Sequence, residues 1–188
     1  WQHTAALTKG VTQASGAPCF IVGSTLLGAA RNGHLPADES EIFLAVLLTG
    51  REPKALAQEW INLRARLAEA AMVERNYEMQ EKLNCHLICK SSVVNLFPAW
   101  VSEGQTVFLY PHASDEIAKD SLLPLAVTVV CGVSVPVPAN AEAFLAGTHG
   151  ADWKTVDSST PTDWKMVRTR YEEFVSEFHR LKNQFDIP

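Results

Sequence analysis

One segment near the N-terminus constrains the fold more than any other. Phe20-Ile21-Val22 is a short apolar strand that ends at Gly23-Ser24, and Thr25 to Arg31 continues as a brief helix followed by Gly33. A loop through Leu35-Pro36 then leads the acidic run Asp38-Glu39-Ser40-Glu41 onto a second apolar strand, Ile42 to Leu48. A Gly-Ser pair opening a helix directly after a strand offers backbone N–H groups and a hydroxyl at the positive end of the helix, which suit a phosphate. Carboxylates entering the next strand could hold the metal that neutralises that phosphate.

The chain has 188 residues, 47% of them hydrophobic, which is enough for one domain with a substantial core, or one domain plus an appendage. A net charge of -5 and a pI near 5.7 argue against non-specific nucleic-acid binding, which needs a basic surface. No apolar run reaches the roughly 18 residues of a membrane span. No signal peptide is legible, and a first residue of Trp rather than Met suggests a trimmed start that could have carried targeting sequence. Cys19, Cys85, Cys89 and Cys131 all sit in apolar stretches, the usual setting of buried free thiols rather than of a disulfide framework. No asparagine has Ser or Thr two positions on, so there is no N-glycosylation site. Both features lean towards a reducing, cytoplasmic setting.

The order of the remaining elements predicts an α/β domain with a mixed sheet flanked by helices. Residues 4–14 read as a helix before the Ser15-Gly16-Ala17-Pro18 turn, and Cys19 to Val22 as the first strand. Glu41 to Leu48 has the unbroken apolar character of a strand buried on both faces. Residues 53–71 form a helix with Pro53 in its first turn and Leu56, Trp60, Leu63 and Leu67 on one face. Leu83, Cys85 and Leu87 alternate along a further strand, and the Glu103-Gly104-Gln105 turn joins a hairpin of Val93–Phe97 and Thr106–Tyr110. Gly132 and Pro136 break Leu125 to Val137 into two short strands near a sheet edge, and Asn140 is the expected cap of a short helix. After a polar linker at 155–162, Val167, Tyr171, Phe174, Phe178, Leu181 and Phe185 recur at helical spacing. That amphipathic helix, 163–188, is expected to pack on the main domain, 1–154, with a homo-oligomer or partner-protein contact as the alternative.

At this point the chain resembles the LicD family, which includes phosphorylcholine transferases and fukutin-related proteins. The family's Gly-Gly-Thr-Leu-Leu-Gly, Arg, Gly and aliphatic-Pro pattern appears as Gly23-Ser24-Thr25-Leu26-Leu27-Gly28, Arg31, Gly33 and Leu35-Pro36. Its strand with Asp before an aliphatic residue and Phe-Pro appears as Val94-Asn95-Leu96-Phe97-Pro98. Its closing segment is matched by Leu123-Pro124, Gly132 to Pro138, Phe144-Leu145 and Gly150-Ala151-Asp152-Trp153. The helix beyond Thr162 has no counterpart in these matches.

The resemblance implies a nucleotidyltransferase-like fold. It also implies transfer of a phosphorylated substituent from a nucleotide-activated donor to a cell-surface glycan or glycopolymer, with Mg²⁺ or Mn²⁺. Under it, Gly23, Ser24, Thr25 and Arg31 bind the donor phosphate. Glu39 and Glu41 hold the metal, and Asn95 orients the acceptor or the metal's water.

The acidic motif departs from the family's Asp-x-Asp. Counting from Pro36 lands on Ser40 and Ile42; shifting back by one gives Glu39 and Glu41; matching the strand tail gives Glu41 and Phe43. The Glu39/Glu41 register alone keeps two acids on one face. Asn95 replaces a third Asp, and an amide can ligate a hard cation but cannot act as a base. A catalytically inactive module of the same fold, binding a nucleotide, a glycan or a protein, is therefore the rival expectation, and a chance likeness in an unrelated α/β domain is a third.

Simpler roles compete residue by residue. The acidic run could be a solvated loop, Ser24 an N-cap, Arg31 the partner of a nearby acid, and His34 incidental. Cys85, His86 and Cys89 are poorly arranged for zinc, since the thiols and the imidazole fall on opposite sides of a strand. Trp153 and Trp164 could line a glycan or serve the core.

Overall fold

The computed structural model describes residues 1–31, 33, 41–73, 83–89, 92–112, 117–155 and 163–185. The elements are α1 (Gln2–Ser15), β1 (Cys19–Ile21), α2 (Gly23–Arg31), β2 (Glu41–Leu47), α3 (Pro53–Glu69), β3 (Cys85–Leu87), β4 (Val93–Val101) and β5 (Val107–Leu109). They are followed by a single turn, α4 (Lys119–Leu122), then β6 (Ala126–Val130), β7 (Val133–Val137), α5 (Ala141–His149) and α6 (Trp164–Phe185).

Five strands form one mixed sheet in the order β1-β2-β4-β3, with β5 also paired to β4. β1 runs antiparallel to β2, and β2 runs parallel to β4 over its whole length. β3 and β5 lie antiparallel to β4, β3 opposite Val94–Leu96 and β5 opposite Ala99–Val101. The unbroken apolar run of β2 is explained by position, since it lies inside the sheet between β1 and β4 with Leu44, Ala45 and Val46 fully buried. α3 covers the core through Leu56, Trp60, Leu63 and Leu67, and the Trp60 indole donates to the Leu83 carbonyl at 2.9 Å.

β6 and β7 pair only with each other, as a ribbon that packs beside β1 and α1 without joining the main sheet. Its turn residues Cys131 and Gly132 have φ of 50° and 78°, the left-handed pair that a two-residue hairpin requires. That turn carries Cys131 into solvent, so an apolar neighbourhood in sequence did not make it a buried thiol; Cys19 and Cys85 are buried and Cys89 is half-buried. Asn140 caps α5 as expected, its side-chain oxygen accepting from the Ala143 N–H at 3.0 Å.

The stripe of α6 is spent inside the chain. Val167, Tyr171, Phe174, Phe178 and Leu181 are buried in the same core as the sheet. Tyr171 meets Trp100, Phe108 and Tyr110 edge-on at centroid distances of 5.6, 5.8 and 5.3 Å, and Phe174 lies 4.9 Å from Trp100. The Tyr171 hydroxyl donates to the His112 carbonyl at 2.9 Å, and Asp163 caps the helix start. Most of the polar stretch that precedes α6, and the side chain of Phe185, lie outside the described residues.

Truncating Phe174 to Ala removes the ring that joins α6 to Trp100 and should cost about 3–5 kcal/mol in urea unfolding, whereas Met166→Ala on the exposed side should stay within about 0.5 kcal/mol.

Burial lowers the His112 imidazole to about 4, helped by repulsion from His149, whose ring lies 5.9 Å away. The unfolded chain therefore binds a proton that the folded chain refuses between about pH 6.5 and 4. Stability should fall as pH drops through that window, by up to about 3 kcal/mol from this group. His112→Gln should flatten a plot of Tm against pH there.

Candidate functional site

The site begins where α2 meets β2. The Phe43 N–H donates to Thr25 Oγ1 at 2.8 Å, and the Phe43 carbonyl accepts from the Val22 N–H at 3.0 Å. Residues on either side of the Gly23-Ser24 pair thus clamp the backbone of one residue of β2. Gly23 itself has φ +55°, and a Cβ there would stand 3.4 Å from the Phe43 Cβ, so the turn needs a residue without a side chain. The Leu26 N–H donates to the Val22 carbonyl at 3.1 Å, and helix geometry leaves the N–H groups of Gly23, Ser24 and Thr25 without acceptors inside α2. The Ser24 hydroxyl oxygen is buried and has no hydrogen-bond partner among the described residues.

Beside this turn lies one face of the sheet. Glu41 stands opposite Val93, Phe43 opposite Asn95, Ala45 opposite Phe97, and His86 opposite Asn95. Strand alternation then projects Glu41, Phe43, Asn95, Phe97 and His86 to the same side. The contacts agree with that placement. The Asn95 amide donates to Glu41 Oε2 at 2.9 Å, and the Phe43 and Phe97 rings stack at 6.2 Å.

Asn84 extends the polar row. Its amide donates to Asn95 Oδ1 at 3.0 Å and meets His86 Nε2 at 3.0 Å. An amide nitrogen can only donate, so His86 Nε2 is the acceptor in this contact. The result is a directed chain, from Asn84 through Asn95 to the Glu41 carboxylate.

The expected site residues fall unevenly. Glu41 and Asn95 converge. Ile42 faces the opposite side and is buried, which excludes the Ser40/Ile42 register and leaves the two registers that share Glu41. Glu39 lies outside the described residues, as do His34, Asp38 and Ser40. Asn95 uses its oxygen on Asn84 and its nitrogen on Glu41, so it positions the carboxylate instead of offering an open ligand. Thr25 is fully buried, and its hydroxyl oxygen serves the β2 clamp.

Arg31 stands two turns along α2 from Ser24 and donates through Nε and a terminal nitrogen to the Trp153 carbonyl. Its charge also lowers the His149 imidazole, after burial as the larger cause. Trp153 is a core residue and Trp164 an exposed one. No group of three His, Cys, Asp or Glu side chains is placed to share a metal among the described residues. Asn84 was absent from the sequence-based candidates and His86 was weighed only for zinc, although their alternation with Leu83, Cys85 and Leu87 already put both on one side of the β3 segment.

No family model and no curated protein sequence matches this chain. Among the described residues, no helix is long and apolar enough to cross a membrane.

Replacing Asn95 with Leu strands the Glu41 oxygen and one Asn84 hydrogen at a 5% exposed position. The variant should lose about 1–3 kcal/mol in chemical denaturation at pH 7.

Proposed function

We propose that this chain is a LicD-like domain that binds the phosphate of a nucleotide-activated donor at the start of α2 and transfers the phosphorylated substituent to a cell-surface glycan or glycopolymer. The Ser24 hydroxyl carries this reading: it is buried, lacks a partner among the described residues, and opens a nine-residue helix beside the face that bears Glu41. A buried hydroxyl left without a partner costs about 1–3 kcal/mol, and a phosphate oxygen accepting its proton would remove that cost.

Glu41 supports a metal-assisted reaction. One carboxylate oxygen accepts from Asn95, and the other has no hydrogen-bond partner among the described residues. Mg²⁺ is commonly held by one or two carboxylates together with the substrate's own phosphates, so Glu41, joined by Glu39, is a donor set of the right chemistry. When bound, such a cation neutralises charge on the transferring phosphoryl group. The chain's own contributions are positional. Ser24 and the first-turn N–H groups fix the phosphate, and Asn95 holds Glu41 in one orientation.

Phe43 favours a second reading, a binding module without catalysis. In the register that ends at this residue it occupies the place of the second acid, an apolar ring beneath Gly23 and stacked on Phe97.

Calorimetric titration of CDP and CMP, with and without Mg²⁺ or Mn²⁺, separates the two. The transferase reading predicts metal-dependent binding that weakens roughly tenfold or more in Glu41→Gln and in Ser24→Ala. Binding that ignores both the metal and Glu41→Gln but falls in Ser24→Ala supports the binding module. No binding of either nucleotide contradicts both.

A further inference from the structure

A cavity of about 570 Å³ is lined by Asn95 and its neighbours on the sheet and by α6 from Trp164 to His179, within the size range of small-molecule sites. Asn95 forms part of its wall and, through its amide nitrogen, touches Glu41, so the cavity begins one side chain away from the carboxylate assigned to the metal. It is also distinct from the turn at Gly23-Ser24, neither residue of which lines it.

Two of its aromatic walls are rigid. Phe97 is fixed by its stack on Phe43, and Tyr110 by its edge-on contact with Tyr171. The third, Trp164, is 53% exposed at the first turn of α6, in a chain whose other α6 aromatics with described side chains are buried. One turn on, Arg168 donates through Nε to the Trp164 carbonyl at 3.2 Å, which ties its side chain back to the first turn of α6. Its terminal N–H groups have no partner among the described residues. No Asp or Glu is among the described residues lining the cavity, although the chain as a whole carries a charge of -5. The described walls bring aromatic faces and a guanidinium together, which suits an anion attached to a ring.

We infer that this cavity binds a second ligand beside the α2 turn, a phosphate monoester of a ring compound. The ring lies against Trp164 and Tyr110, and the phosphate is held by Arg168. This binding does not depend on the transferase reading of the α2 turn. A sugar phosphate and a nucleoside monophosphate share this chemistry, and the probes below distinguish them.

The test is a metal-free calorimetric titration of the full chain with glucose 1-phosphate, glucose and CMP. It is run on the wild type, Arg168→Gln, Trp164→Ala and Ser24→Ala, with circular dichroism to verify folding. Arg168 and Trp164 are exposed residues outside the core, so their variants should fold. The expected result is binding of at least one phosphate ester, with neutral glucose at least about tenfold weaker. Affinity should fall about tenfold or more in Arg168→Gln and in Trp164→Ala, and hold in Ser24→Ala. Preference for glucose 1-phosphate identifies a sugar ligand, and preference for CMP a nucleoside.

Failure of both esters to bind the folded wild type overturns the inference. So does binding that is indifferent to Arg168 and Trp164. Loss in Ser24→Ala alone would place the ester at the α2 turn, sinking the cavity proposal while leaving the donor site standing. Cavity binding combined with a failed CDP titration would do the reverse.

Discussion

The parallel pairing of β2 with β4, from Glu41 opposite Val93 to Leu47 opposite Ala99, fixes everything that happens at the candidate site. Side chains along a strand alternate between faces, so a slip of one residue would send Glu41 and Phe43 to the far side and bring Ile42 and Leu44 to the site face. The packing resists such a slip, because Leu44 and Val46 are fully buried and have nowhere polar to go. Thr25 and Val22 then lock the backbone N–H and C=O of Phe43 from the α2 side, which couples the turn at Gly23-Ser24 to the same register. The carboxylate, the amide of Asn95 and the open hydroxyl of Ser24 are therefore set by one backbone alignment.

The far edge of β4 is shared by two short strands, and α6 seals it. Trp100 and Phe108 supply ring faces into which Tyr171 and Phe174 fit, and the Tyr171 hydroxyl reaches back to the His112 carbonyl. This aromatic join explains why the helix that follows the polar stretch at 155–162 belongs to the same core. It also leaves the first two turns of α6, with Trp164 and Arg168, lining the cavity that Asn95 bounds. The helix thus has a structural stripe and, at its N-terminal end, a set of residues that the core does not use.

Much of this was legible in the chain. The 3.6-residue spacing from Val167 to Leu181 and the spacing from Leu56 to Leu67 fixed two helices, because a stripe that regular has few other uses. Apolar continuity marked β2 as interior, and Glu103-Gly104-Gln105 marked the β4–β5 turn. Periodicity was silent on tertiary geometry. It could not show that Arg31 would turn to the Trp153 carbonyl, or that Asn95 would spend both ends of its amide on Glu41 and Asn84. Nor could the apolar setting of Cys131 reveal that it occupies a left-handed turn position in solvent. The choice of register among the acids was open in sequence because Glu41 belonged to two alternatives; the sheet removes only the one that needs Ile42.

The central claim is that the start of α2 and the Glu41 carboxylate hold a donor phosphate and its cation together. Anomalous diffraction from crystals grown with Mn²⁺ and CDP tests it most directly. The account predicts a manganese peak at coordination distance from Glu41, bridged to a phosphate that accepts from Ser24. A nucleotide bound elsewhere, or manganese with no contact to Glu41, would contradict it.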